Sequence, residues 1–157
     1  MPRYASNTNV NSEQSRLEIE RTLRRYGADA FMYFEDRGRA AIAFRAFGRQ
    51  VRFFLPLPDR SSRQFTHTPE RGRLRLPDGQ QEAFDQAVRQ RWRALSLVIK
   101  AKLEAVDAGI SIFEDEFMAN ITLPDGRSVG DFMRPQIANA YESGNMPPLL
   151  PYYGDKK

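Results

Sequence analysis

The spacing of hydrophobic positions changes character along the chain. Leu17, Ile19, Leu23 and Tyr26 recur at helical spacing and predict an amphipathic helix over Ser12–Tyr26. Asn11-Ser12-Glu13-Gln14 offers an N-cap with a glutamine three residues on, and Gly27 supplies the stop. The polar face sets Arg16, Arg21, Arg24 and Arg25 against Glu13, Glu18 and Glu20, which reads as solvated pairing along a helix. Residues 1–10 are polar and read as a loose N-terminus.

The period then shortens to two. Ala30–Glu35 is aromatic-rich and ends at the turn signal Asp36-Arg37-Gly38. Ala40–Phe47 places Ile42, Phe44 and Ala46 on one face and Ala41, Ala43 and Arg45 on the other. After Gly48-Arg49, Val51, Phe53 and Leu55 alternate with Arg52 and Phe54 until Pro56. Short turns between such runs predict an antiparallel meander, with one face packed on helices and the other presenting Arg45 and Arg52. Residues 57–79 read as a long basic loop, in which Gln64–Thr68 or Arg73–Leu76 offers a fourth strand.

Helical spacing returns strongly over Gln81–Val106. Phe84, Val88, Trp92, Leu95, Ile99, Leu103 and Val106 trace one stripe, and Trp92 is its expected core anchor. Gln86, Arg89, Arg93, Ser96, Lys100 and Asp107 form the opposite stripe, expected in solvent. Two shorter helices follow. Ser111 with Glu114 reads as a capping box before Ile112, Phe113 and Phe117, all expected inward; Ser128 with Asp131 reads as another before Val129, Phe132, Met133, Ile137, Ala140 and Tyr141. Pro135 is expected to kink that last helix or to mark a late start. Residues 145–157 read as an extended apolar tail strapped across the body. Leu-Pro-Asp-Gly occurs at Leu76–Gly79 and Leu123–Gly126, which reads as shared turn chemistry. The expected fold is a single α+β domain over 1–157: an N-terminal helix, a three- to four-stranded antiparallel meander, a long amphipathic helix, two short C-terminal helices and a tail.

Composition narrows the class. The 157 residues contain no cysteine, which removes disulfides and thiolate chemistry. The longest apolar run, Ala94–Ile99, falls far short of the roughly 20 residues of a membrane span. The first residues lack the apolar core of a signal peptide, so a cytoplasmic location without membrane association is expected, in a host cell if the gene is phage-borne. Charge is uneven. From Arg37 to Arg93, 13 arginines face 5 acids, a balance of +8; from Ala94 to Asp155, 4 basic residues face 9 acids, a balance of −5. The basic half should attract polyanions, and guanidinium forks suit phosphate.

Catalytic patterns are scarce. There is no Gly-x-Ser-x-Gly elbow, P-loop or dinucleotide-binding glycine motif, and no cofactor is expected. His67 is the one histidine and lies in the loop. Glu114-Asp115-Glu116 is well explained by the dipole of a helix first turn. A carboxylate-metal nuclease would have to assemble Glu116, Asp125 and Asp131, which no spacing rule brings together.

What remains is arginine interleaved with aromatics. Arg45, Arg49 and Arg52 lie on the hairpins among Tyr33, Phe34, Phe47 and Phe54; Arg71, Arg73 and Arg75 make the loop an arm that orders on a polyanion; Arg89 and Arg93 mark a helical stripe. An exposed aromatic can stack a base while arginines neutralise phosphate. These eight arginines are the candidate contacts to DNA or RNA.

Several stretches carry a resemblance: Tyr4–Thr8, Arg91–Leu95 with Ile99–Ala105, Leu123–Arg127 with Val129-Gly130, and Met146–Pro151. Together they resemble a family of uncharacterised phage, prophage and mobile-element proteins. The resemblance implies a mobile-element origin and no catalytic residues. It favours nucleic-acid work, or inhibition or adaptation of a host or defence protein, in which the apolar tail and acidic C-terminal half would form the interface. The expectation is a non-enzymatic nucleic-acid-binding protein.

Overall fold

The computed structural model describes residues 8–146, so the first seven residues and most of the expected tail lie outside the described residues. Helix α1 spans Ser12–Arg25, with the Asn11 side chain accepting from the Gln14 amide. Three strands follow, β1 at Ala30–Asp36, β2 at Arg39–Ala46 and β3 at Arg49–Pro56, antiparallel in the order β1-β2-β3. Their registers place Phe31, Phe44 and Val51 in one cross-strand row and Tyr33, Ile42 and Phe53 in the next. These rows form the inner face. With Ala40 and Ala46 they pack against Ile19 and Leu23 of α1 and the long helix α3, Pro77–Asp107.

Trp92 of α3 is 1% exposed, as its place on the apolar stripe demands. Its ring lies 5.6 Å from that of Tyr33, and the Arg16 guanidinium sits over both rings. The polar stripe of α3 departs from expectation. Ser96 is buried, and Arg93 bonds Glu18 of α1 at 2.5 Å, because α3 carries the sheet on one flank and α1 on the next. The helix also starts four residues before the expected Gln81, with Pro77 in its first turn, where a proline has no hydrogen bond to lose. The Leu-Pro-Asp-Gly repeat thus opens a helix in one copy. In the other it makes a turn, with Gly126 at φ 87°.

The loop after β3 is folded. Helix α2 is one turn, Arg63–Thr66, whose Phe65 packs edge-on to Phe84 of α3. A small hairpin follows, held by His67 opposite Leu74, Thr68 N–H to Arg73 O at 2.8 Å and Arg75 N–H to Thr66 O at 2.7 Å. Neither Gln64–Thr68 nor Arg73–Leu76 joins the sheet. The edge of β3 is instead covered by a distant segment. Ile121 bridges Val51, Thr122 N–H donates to Gln50 O at 2.8 Å, and the Asn120 amide donates to Arg52 O.

Helix α4, Phe113–Phe117, sends Phe113 and Phe117 into the core, where Phe117 meets Phe44 and Phe53 edge-on. Positions four apart share a face, so Ile112 turns outward and is 60% exposed. The cap falls on Ile112, and the Ser111 hydroxyl makes no cap. Helix α5, Val129–Ser143, is capped by Ser128 as expected and keeps Pro135 inside it; the Gln136 side chain donates to Phe132 O beside the missing proline donor. Gly130 is its buried residue, close against the Ala119 carbonyl, and Ile137 and Tyr141 are exposed. No helix among the described residues is long and apolar enough to cross a membrane.

Candidate nucleic-acid interface

Strand pleating puts every second residue on the face away from the helices. The rows there are Asp36–Arg39–Pro56, Phe34–Ala41–Phe54, Met32–Ala43–Arg52 and Ala30–Arg45–Gln50. The middle strand therefore contributes Arg39, Ala41, Ala43 and Arg45, with two methyl groups at the centre and a guanidinium at each end. Apolar walls stand beside the alanines. Met32 and Phe34 on β1 are 62% and 50% exposed, and Phe54 on β3 is 44% exposed. Ala41 is nonetheless buried, because Phe34 and Phe54 flank it in their shared row. The Arg39 and Arg52 guanidiniums lie 4.8 and 4.9 Å from the Phe54 ring centre. Beside this platform, around Ala43, lies a cavity of about 250 Å³, lined by Met32, Ala43, Arg45, Gln50, Arg52 and Thr122 among others.

Charge on this face is held in place by hydrogen bonds. Arg45 Nε donates to Asp29 at 2.8 Å, and that bond holds the Asp29 carboxyl below the usual carboxylate range. Arg52 Nη2 donates to Gly126 O at 2.8 Å. Its Nε is enclosed and has no hydrogen-bond partner among the described residues. Three guanidiniums thus face Asp36 on the face and Asp29 at its rim, and the Asp131 carboxylate of α5 lies within electrostatic reach of Arg52.

The eight candidate arginines do not share one surface. Arg45 and Arg52 are brought together on the outer face, joined by Arg39. Arg49 opens β3 on the opposite parity, at the exposed end beside the Phe47-Gly48 turn. Arg71, Arg73 and Arg75 lie on the hairpin after α2, where Arg75 Nε donates to His67 O and Arg71 and Arg73 are exposed. Arg89 and Arg93 are half-buried on α3; Arg89 bonds Gln86, and Arg93 ties α3 to α1 through Glu18. Of the aromatics, Tyr33 is in the core layer, Phe47 packs on Phe113 at the β2–β3 turn yet is 61% exposed, and Phe34 and Phe54 face solvent on the outer face. Phe47 occupies the left-handed region at φ 51°, which with Gly48 at 72° suits a two-residue type I′ turn.

The carboxylates of the nuclease alternative each have separate partners. Glu116 pairs with Lys102 at 3.4 Å, Asp125 with Arg127, and Asp131 with Arg134. The Asp125 carboxyl is held low first by the Arg127 backbone N–H, and that of Asp131 first by the Ser128 side chain. No three acidic or histidine side chains among the described residues gather as metal ligands. His67 bonds the neighbouring Thr66 hydroxyl through Nδ1.

Met32, Ala43, Gln50 and Thr122 were not singled out by their sequence. For the first three the signal was parity: they alternate with core positions, and Ala41 and Ala43 are small where neighbours on either strand are large. Comparison with protein-family models, curated proteins and solved structures finds no match for this chain.

Proposed function

We propose that this protein is a non-enzymatic nucleic-acid-binding protein that uses the outer face of its sheet. The reading is carried by one observation: Phe34 and Phe54 stand exposed in a single cross-strand row, within a frame of Arg39, Arg45 and Arg52. An apolar sheet face left uncovered is costly in a monomer and marks a binding surface. Guanidiniums around aromatic rings suit a ligand that is both anionic and aromatic. The exposed Arg71 and Arg73 on the hairpin add a secondary contact to the phosphate backbone. The resemblance to phage and mobile-element proteins belongs to this same reading.

With at most three phosphates neutralised on the face, the affinity should fall with salt at a log–log slope of about −2 for a single strand. Fluorescence anisotropy of labelled oligonucleotides across a salt series tests this. Absence of binding at low salt ends the proposal.

A protein partner is the second reading, favoured by the free edge of β1. Among the described residues β1 pairs only with β2, so its outer backbone groups can take another strand. A nuclease-treated pull-down that retains one protein, with no oligonucleotide binding, would favour it.

A further inference from the structure

Within that nucleic-acid reading, we infer that the outer face selects single strands and seats one unpaired nucleobase in the Ala43 cavity. Shape keeps the bases of a duplex off this face. A major groove admits a helix or a two-stranded ribbon. This face is three strands wide and is extended at the β3 edge by Ile121 and Thr122. It can lie across a duplex, where its arginines touch phosphate, but its phenylalanines and the cavity then meet no base.

The cavity matches a base in kind. Its lining combines the apolar Ala43 and Met32 with donors and acceptors from Arg45, Gln50, Arg52 and Thr122. A nucleobase likewise combines apolar faces with polar edges. Arg52 lines the cavity with its guanidinium anchored on Gly126 O at 2.8 Å, and the remaining Nη donors of that fork suit a base carbonyl. The Phe34–Ala41–Phe54 platform occupies the adjoining row. The next base of an extended strand would stack there, with its phosphates between Arg39 and Arg45.

The test uses the full chain and two labelled probes: a short mixed-sequence single strand, and the same sequence closed into a hairpin duplex. The single strand should bind at least about tenfold more tightly at equal salt. Ala43→Leu, which fills the cavity, and Phe34→Ala should each weaken single-strand binding about tenfold, leaving duplex binding and the salt slope unchanged. Arg52→Lys keeps the charge and removes the guanidinium, and carries the test should Ala43→Leu fail to fold. Equal affinity for both probes, unchanged by all three substitutions, overturns the base seat and leaves the arginine–phosphate reading standing. No binding of either probe at low salt overturns both.

Discussion

The two faces of the sheet are built from the same three strands and share every backbone hydrogen bond, yet they differ in what covers them. On the inner face, Ile42, Phe44, Val51 and Phe53 are buried under α1, α3 and α4. On the outer face, Met32, Phe34 and Phe54 are about half exposed, with no element over them among the described residues. The inner face explains stability. The outer face adds apolar surface that folding does not use, ringed by guanidiniums, and so points to a ligand. Hydrophobicity alone does not separate the two; cover and charge do.

Substitutions can break this division. Trp92→Ala on the inner face should cost about 3–5 kcal/mol, read as a fall in the denaturation midpoint; loss of oligonucleotide binding should follow unfolding and not precede it. Phe34→Ala with Phe54→Ala should do the reverse. Their loss should leave the midpoint near wild type and weaken single-strand binding by about 1–3 kcal/mol per stacked base, measured by anisotropy. A large stability loss from the outer pair would erase the distinction.

Asp29→Asn sharpens the electrostatic side. It releases Arg45, and binding at low salt should strengthen about threefold by the weight of one more available cation. Because Arg45 lowers the Asp29 pKa, the pair contributes above the ordinary carboxylate range and is lost only as pH falls through the lowered value. The gain from Asp29→Asn should therefore persist across neutral pH. Ser15→Ala gives the smallest effect. The buried Ser15 hydroxyl has no hydrogen-bond partner among the described residues, so alanine should raise stability by about 0.5 kcal/mol through helix propensity, seen as a slight rise in melting temperature.

Much of the inner architecture was legible because it is local. Asn11 and Ser128 announce helix starts, Gly38 and Gly48 sit in two-residue turns, and the Trp92 stripe has one period throughout. What escaped was non-local or competitive. Ile121–Thr122 joins β3 through a single bridge some seventy residues away, and nothing in its own composition advertises that pairing. Ile112 loses the core to Phe113 and Phe117, which the four-residue spacing favours. The stripe of α5 has the right period, but periodicity says which residues share a face and not whether a partner exists. The outer face was half legible. Alternation assigned Ala41, Ala43, Arg45, Arg52 and Phe54 to it, but linear charge density also drew in Arg75, Arg89 and Arg93, which lie off that face on the hairpin and α3.

The most direct test is to map amide chemical shifts as a short single-stranded oligonucleotide is added at low salt. The account predicts shifts concentrated on Met32, Phe34, Ala41, Ala43, Arg52 and Phe54, with weaker ones at Arg71 and Arg73. Shifts confined to the hairpin or to α5, with the outer face silent, would contradict it.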